Sequence, residues 1–398
     1  MNIIFSGQFR DPSGYGKAGR DYLIALDKYI ESHPSEYINL ILYVVTFDTN
    51  QSNFKCTIDN IIKKYEKSED YILDFIKNKS NQYYHLAHHT PESSYGWKLI
   101  PSISKNALKV SYMTVWETDK VPDRWRHIIN KVNPDQVIVP CQMNYDIFKI
   151  SNPHIDICIV PHVITEEYNT NDKVYNDNIF KKDVFNILAV SQWTKRKGFD
   201  SLMQAYIGEF YQTEDVILIL KTYRSDVSEN EYDIIKNEIK KIRTSICPTI
   251  GTYSDAKIFI IKGILENNEM STMYNSCDIF ALPSRGEGWG LPYCESIVHN
   301  KPVLCPNWGG QMDFIYPDNP FLVKGTMEPC HEMGTFYTSD MNWFEPSVRS
   351  IREKLRLAYD MWKDNSLKNE GNKALNYVRN GNFDYDAIGK LLIDTIIK

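Results

Sequence analysis

The sequence lacks any excess of positive charge: 45 Lys and Arg against 51 Asp and Glu leave a formal net charge of -6 over 398 residues. Such a chain has no overall basic field, which disfavours a general nucleic-acid binder. No apolar run approaches the roughly 18 to 20 residues that span a bilayer. The opening Met1 to Gly7 has no basic residues ahead of it and leads into Asp11, Pro12 and Gly14, so it reads as a strand and not as a leader. The eight cysteines include no pair at C-x-x-C spacing, so neither a disulfide framework nor a zinc site is expected. Asp-x-Asp closes none of the predicted strands; Asp384-Tyr385-Asp386 is a formal match at the start of a helix, where acids serve the helix dipole. The expectation is a soluble protein of a reducing cytoplasm with no metal and no cofactor. Composition leaves a peripheral membrane contact open and does not give an oligomeric state.

What is present is enough apolar material, 42% of residues, for two cores at about 150 residues each. Short β-branched runs alternate with turns and amphipathic stretches, the pattern of a doubly wound α/β sheet. The first series of predicted strands is 2–6, 38–46, 83–87, 109–115, 136–140 and 155–160; the second is 185–190, 216–221, 257–262, 279–282 and 302–305. Between them the polar segment from Thr165 to Asp183 is a candidate linker. The domains are therefore expected at 1–165 and 183–380, with 166–182 joining them. Apolar residues at Ile388, Leu391, Leu392 and Ile396 predict a closing helix over 381–398. In such sheets ligands bind beyond the carboxyl ends of the strands.

The most informative such loop runs from Arg285 to Glu295 (Arg-Gly-Glu-Gly-Trp-Gly-Leu-Pro-Tyr-Cys-Glu) and feeds a helix with Pro292 at its first position. Amides of Gly288, Trp289, Gly290 and Leu291 can converge on one spot, where the helix dipole favours an anion, above all a diphosphate. Glu287 and Glu295 then reach different parts of one ligand. A second loop, Gln192-Trp-Thr-Lys-Arg-Lys-Gly198, places Lys195, Arg196 and Lys197 after a strand, and Trp308-Gly309-Gly310 follows another. Near the N-terminus Gly14, Gly16 and Gly19 form a formal G-x-G-x-x-G. It fits a dinucleotide site poorly, being six residues past its strand and 29 residues ahead of Asp48. Two further loops carry His88 and His89, and Trp116, Glu117 and Thr118.

The spacing Glu287-x7-Glu295, set within Pro-Ser-Arg-Gly-Glu-Gly-Trp-Gly-Leu-Pro, resembles the retaining glycosyltransferases of GT-B fold, family four. That resemblance implies two Rossmann-like domains, an acceptor-side one first and a donor-binding one second, and a final helix that crosses back to the first domain. It implies a nucleotide-diphosphate sugar, such as a UDP- or GDP-sugar, as co-substrate and a glycan or glycoconjugate hydroxyl as acceptor. Glu287 would bind the transferred sugar, Glu295 the ribose hydroxyls, Lys197 the diphosphate, and Gly14 and Gly16 would face that diphosphate. Two departures matter. The family's Arg, five or six residues before Lys-Gly, is Ser191 or Gln192 here, so Arg196, Lys195 or Lys221 would substitute. Its histidine in the second loop is replaced by Trp116, Glu117 and Thr118, so Glu117 would support the reacting sugar and His88 or His89 the acceptor hydroxyl.

Competing functions are a glycoside hydrolase using the two glutamates, an epimerase or phosphorylase on the same fold, and a non-catalytic nucleotide-sugar-binding protein. The helix-start setting counts against the hydrolase, because it favours anion binding and keeps nearby carboxyls ionised.

Overall fold

A computed structural model describes residues 1–45, 56, 58–92, 99–166, 175, 176, 178–246, 257–330 and 336–398. Asp48, Cys247 and most of the polar linker segment lie outside them. The chain divides into two compact units, Met1–Ile164 with Asn382–Lys398, and Thr165–Gly381.

The first unit is built on six parallel strands: β1 Asn2–Gly7, β2 Asn39–Val44, β3 Tyr84–His88, β4 Lys109–Met113, β5 Gln136–Val139 and β6 Asp156–Ile159. They lie in the order β2-β1-β3-β4-β5-β6. Runs such as Ile3-Ile4-Phe5 are buried on both faces, as a parallel sheet between helices requires. The closing helix Tyr385–Ile397 belongs here and packs on helix Gly14–Ser32. Its Ile388, Leu392, Ile393 and Ile396 enter the core, each stabilising by on the order of 2 kcal/mol. Asp384 is its N-cap, accepting from the Ala387 amide at 2.9 Å. A Cβ on Gly389 would stand 2.4 Å from the Ala25 carbonyl, so only glycine allows this approach.

The second unit repeats the plan. Its strands are β7 Phe185–Gln192, β8 Val216–Tyr223, β9 Lys257–Ile261, β10 Ile279–Ala281, β11 Val303–Pro306 and β12 Leu322–Val323, in the order β12-β11-β10-β7-β8-β9. An antiparallel hairpin follows, β13 Gly325–Pro329 with β14 Asn342–Pro346. The sequence reading missed β12 and the hairpin. The linker boundary also shifts: Phe180 is buried, and Glu166 pairs with Arg379 at 2.6 Å, both within this unit. Strand order reverses between β7 and β10, the position beyond whose carboxyl ends such sheets bind ligands.

Candidate functional site

The loops that follow β7 and β10 carry Arg196 and Lys197 on one side and Glu287 on the other. The β7 loop ends at Gly198, whose φ of +69° is left-handed and whose Cβ would stand 2.0 Å from the Pro283 carbonyl. The β10 loop ends at Gly290, with φ of +97°, and the helix starts at Leu291 with Pro292 second, one residue earlier than the sequence suggested. Both loops are thus pinned by backbone that only glycine adopts cheaply.

The loops are tied to each other directly. The Arg285 amide donates to the Arg196 carbonyl at 2.5 Å, and the Arg196 guanidinium donates to the Gly286 carbonyl at 2.6 Å. Lys197 Nζ meets Glu287 Oε1 at 2.6 Å, and Arg196 Nη1 lies 3.6 Å from Glu287 Oε2. The three side chains are 12%, 17% and 7% exposed for Lys197, Arg196 and Glu287, enough for a ligand to reach and little enough to strengthen charge interactions. The Gly309-Gly310 turn closes one wall, since the Gly310 amide donates to the Glu287 carbonyl at 2.8 Å.

Behind these groups sits Arg285, 1% exposed. Its guanidinium grips Glu345 on β14 through Nε and Nη2, both at 2.6 Å, and Asp200 at 2.8 and 3.1 Å. It also donates to the Lys195 carbonyl at 2.5 Å and to Ser201 Oγ at 3.1 Å. Asp200 in turn pairs with Lys195. Neither Asp200 nor Glu345 stood out in the sequence, because both lie far from Arg285 along the chain.

Glu295 lies in the middle of helix Leu291–Val298, where its Oε2 accepts from Tyr274 Oη at 2.8 Å. Gly290 has no side chain with which to cap the first-turn N–H groups, an arrangement that a bound anion satisfies. Of the three candidate substitutes for the family's Arg, Arg196 alone is shown beside Glu287. Lys195 pairs with Asp200. Lys221 is buried at the end of β8, donates to the Gly263 carbonyl at 2.5 Å, and has its pKa lowered to about 8 by burial. Gln192 donates to the Arg224 carbonyl at 2.7 Å and braces the loop.

In the first unit the glycines differ from expectation. Gly14 and Gly16 lie in the first turn of helix Gly14–Ser32, capped by Ser13, and not in an open loop. Gly16 is required because a Cβ there would stand 2.0 Å from the Asp11 carbonyl. Gly19 makes room for His88, whose Nδ1 would be 3.1 Å from a Cβ. His89 is fully buried, with its Nδ1 2.7 Å from Tyr112 Oη and 3.1 Å from the Thr90 carbonyl, contacts that brace β3 against β4. His88 packs against Tyr15 and Tyr22, and burial lowers its pKa to about 4, leaving a neutral ring at pH 7. His162 is neutral for the same reason, with a pKa of about 3. Tyr22 Oη donates to the Val160 carbonyl, so the His162 Nδ1 at 2.9 Å must carry the proton between them. Trp116 is framework, its indole bonded to Thr118 at 2.7 Å and its backbone clamped by Asn144. Glu117 is half-buried, as is Tyr15, whose pKa is raised chiefly by desolvation and further by the Glu117 charge.

Residues 254–330 match the family described as Glycosyl transferases group 1, a stretch that contains both glutamates and not the basic loop. Over its whole length the chain superposes on a crystal structure of Anabaena HepE in complex with UDP and glucose, with TM-score 0.62, 13% identity and 99% of that chain covered. It superposes likewise on sucrose-phosphate synthase from Thermosynechococcus elongatus, with TM-score 0.66 and 12% identity over 99% of this chain and 98% of that one. The fold is GT-B. A curated relative, an uncharacterized 41.2 kDa protein in the cps region of Klebsiella pneumoniae, is 25% identical over 135 residues, 34% of this chain. The chain spans 31% of that relative's length. The segment matched to that family lies wholly within the second unit. No helix among the described residues is long and apolar enough to cross a membrane.

Proposed function

We propose that the protein transfers a sugar, with retention of anomeric configuration and without a metal, from a nucleotide-diphosphate sugar to an acceptor hydroxyl. One observation carries this reading: at the strand reversal of the second unit, Lys197 and Arg196 from one loop stand beside Glu287 from the other, which leads into a helix N-terminus with no side-chain cap. Two cations and first-turn amides offer the donor set that a leaving diphosphate needs. Stabilising the negative charge that develops on the diphosphate as the sugar bond breaks lowers the barrier and does not merely tighten binding. A lysine ammonium has three donors, so Lys197 can hold Glu287 and a phosphate oxygen together. Glu287 accepts from sugar hydroxyls, and Glu295 from ribose hydroxyls. In the first unit Glu117, His88 and His89 are the proposed acceptor-side groups, and burial keeps both rings neutral.

The test is a thermal-shift screen with UDP, GDP and their hexose derivatives, followed by proton NMR of the product anomer in a hydroxyl-acceptor panel. Stabilisation by a nucleoside diphosphate and a product with the donor's anomeric configuration are expected. No stabilisation by any of these at millimolar concentration, or an inverted product, would overturn the proposal. In the Lys197→Ala variant, affinity for the nucleoside diphosphate should fall by about tenfold or more, with the monophosphate little affected. Equal losses for both would make Lys197 a structural residue only.

A further inference from the structure

The carboxylate of Glu295 is held by a set of side chains that no motif marks. Tyr274 comes from helix Asn267–Ser276, is 1% exposed, and donates its hydroxyl to Glu295 Oε2 at 2.8 Å. Its ring is stacked on His299 with centroids 5.4 Å apart and planes 25° from parallel. His299 is fixed at both nitrogens. Nδ1 lies 2.5 Å from the Glu295 carbonyl, which can only accept, so Nδ1 carries the proton. Nε2 is then the acceptor for Ser271 Oγ at 2.8 Å, and Ser271 is on the same helix as Tyr274. Burial lowers the His299 pKa, which keeps the ring neutral and this tautomer in place.

The arrangement is closed: one helix supplies Tyr274 and Ser271, the other Glu295 and its C-cap His299, and two hydrogen bonds and a ring stack join the pairs. A half-buried glutamate with three rotatable side-chain bonds would otherwise sample several rotamers. A bond from a neutral phenol restrains it without neutralising it, because burial and the adjacent carboxylate push the Tyr274 pKa far above neutrality and the hydroxyl keeps its proton. Tyr274 occupies one of the roughly four lone-pair positions of the carboxylate, which fixes the direction in which the group accepts. Direction matters for a vicinal diol, whose two hydroxyls must be met at once.

Resting on the donor reading above, we infer that Tyr274, stacked on His299, is the positioning residue that makes Glu295 a selective acceptor for the ribose hydroxyls, so that the protein distinguishes ribonucleotides from 2′-deoxyribonucleotides through this clamp. Without the tyrosine hydroxyl the carboxylate still carries its charge but no longer presents a fixed geometry. The ring of phenylalanine would keep the stack on His299 and the packing of the helix.

The experiment is calorimetric titration of the full chain with UDP, 2′-deoxy-UDP, GDP and 2′-deoxy-GDP. For the base that binds, the wild type should prefer the ribonucleotide by about tenfold. Tyr274→Phe should lose most of that preference, by weakening the ribonucleotide and hardly changing the deoxy form, with its melting temperature within a few degrees of wild type. In a Glu295→Ala background, where the preference is already gone, Tyr274→Phe should change the ratio no further. A merely structural tyrosine would weaken both forms alike and leave the ratio intact, and that result overturns the inference. A wild type that binds the diphosphates without preferring ribose also overturns it while the donor reading stands. A wild type that binds none of the four overturns both.

Discussion

Replacing Arg285 with alanine should cost about 3 kcal/mol, near the lower end of what breaking a buried ion pair costs, and should lower the midpoint of thermal unfolding of the second unit by roughly 6 to 12 °C. The guanidinium is 1% exposed and joins segments far apart in sequence: Asp200 and Ser201, the Lys195 carbonyl, and Glu345. Its removal leaves two carboxylates facing each other across the space it filled. Both keep some contact with water, at 27% and 33% exposure, which is why the lower end of the range applies. Activity should fall with stability even at temperatures where the fold survives, because the same residue holds the Lys195–Lys197 turn against the Glu287 loop. Arg285→Lys keeps the charge but not the planar fork, so it should recover only part of the loss. A melting curve within 2 °C of wild type for Arg285→Ala would show that the network contributes nothing.

The same network sets a pH dependence. Burial alone would raise the Asp200 pKa; the Arg285 guanidinium and the Lys195 ammonium outweigh it and hold the carboxyl below the usual aspartate value. A carboxylate whose folded pKa is depressed stabilises the protein fully above its unfolded pKa, and that contribution is lost as pH falls through the folded value. For the wild type the loss therefore lies below about pH 4. In Arg285→Ala only burial and Lys195 remain, so acid unfolding monitored by circular dichroism should begin at higher pH.

The strands were legible because β-branched runs between turns carry their own signal. So was the Glu287–Glu295 segment, because glycine, proline and the acid spacing fix the local backbone unaided. What sequence could not show depends on partners that only folding brings close. Arg285 finds its acids 85 residues earlier, at Asp200, and 60 residues later, at Glu345. Glu345 sits on a hairpin whose first strand is mostly exposed, so the apolar alternation that announces a strand is missing. Tyr274 meets Glu295 across 21 residues and two helices. The histidines show a different limit. His88 ends β3 and His89 follows it, and burial lowers their pKa values to about 4 and about 3, a state that sequence alone does not reveal. The glycines of the first unit matched a ligand-binding pattern, yet Gly16 and Gly19 are explained by the Asp11 carbonyl and by His88.

Glu287→Gln should depress kcat by about 100- to 1,000-fold, equivalent to roughly 3 to 4 kcal/mol of barrier, while the affinity for the nucleoside diphosphate stays equal or increases. The structure gives this split its reason. Glu287 is the counter-ion of Lys197 at 2.6 Å and stands 3.6 Å from the Arg196 guanidinium. Its negative charge is adjacent to where a diphosphate would lie, and ground-state binding would gain from its removal, since the two cations would then face the phosphates alone. Glutamine is isosteric and can still accept from Lys197, so the loop should hold its shape. On the proposed reading, what it lacks is the charge that would support sugar hydroxyls as the donor carbon becomes positive in the transition state, an effect expected in kcat and hardly at all in binding. Steady-state kinetics with the donor identified by thermal shift, paired with calorimetry of the nucleoside diphosphate, separates the two effects. A kcat within threefold of wild type would remove Glu287 from the reaction, and a large loss of nucleotide affinity would mean that its pairing with Lys197 builds the phosphate site instead of the sugar site.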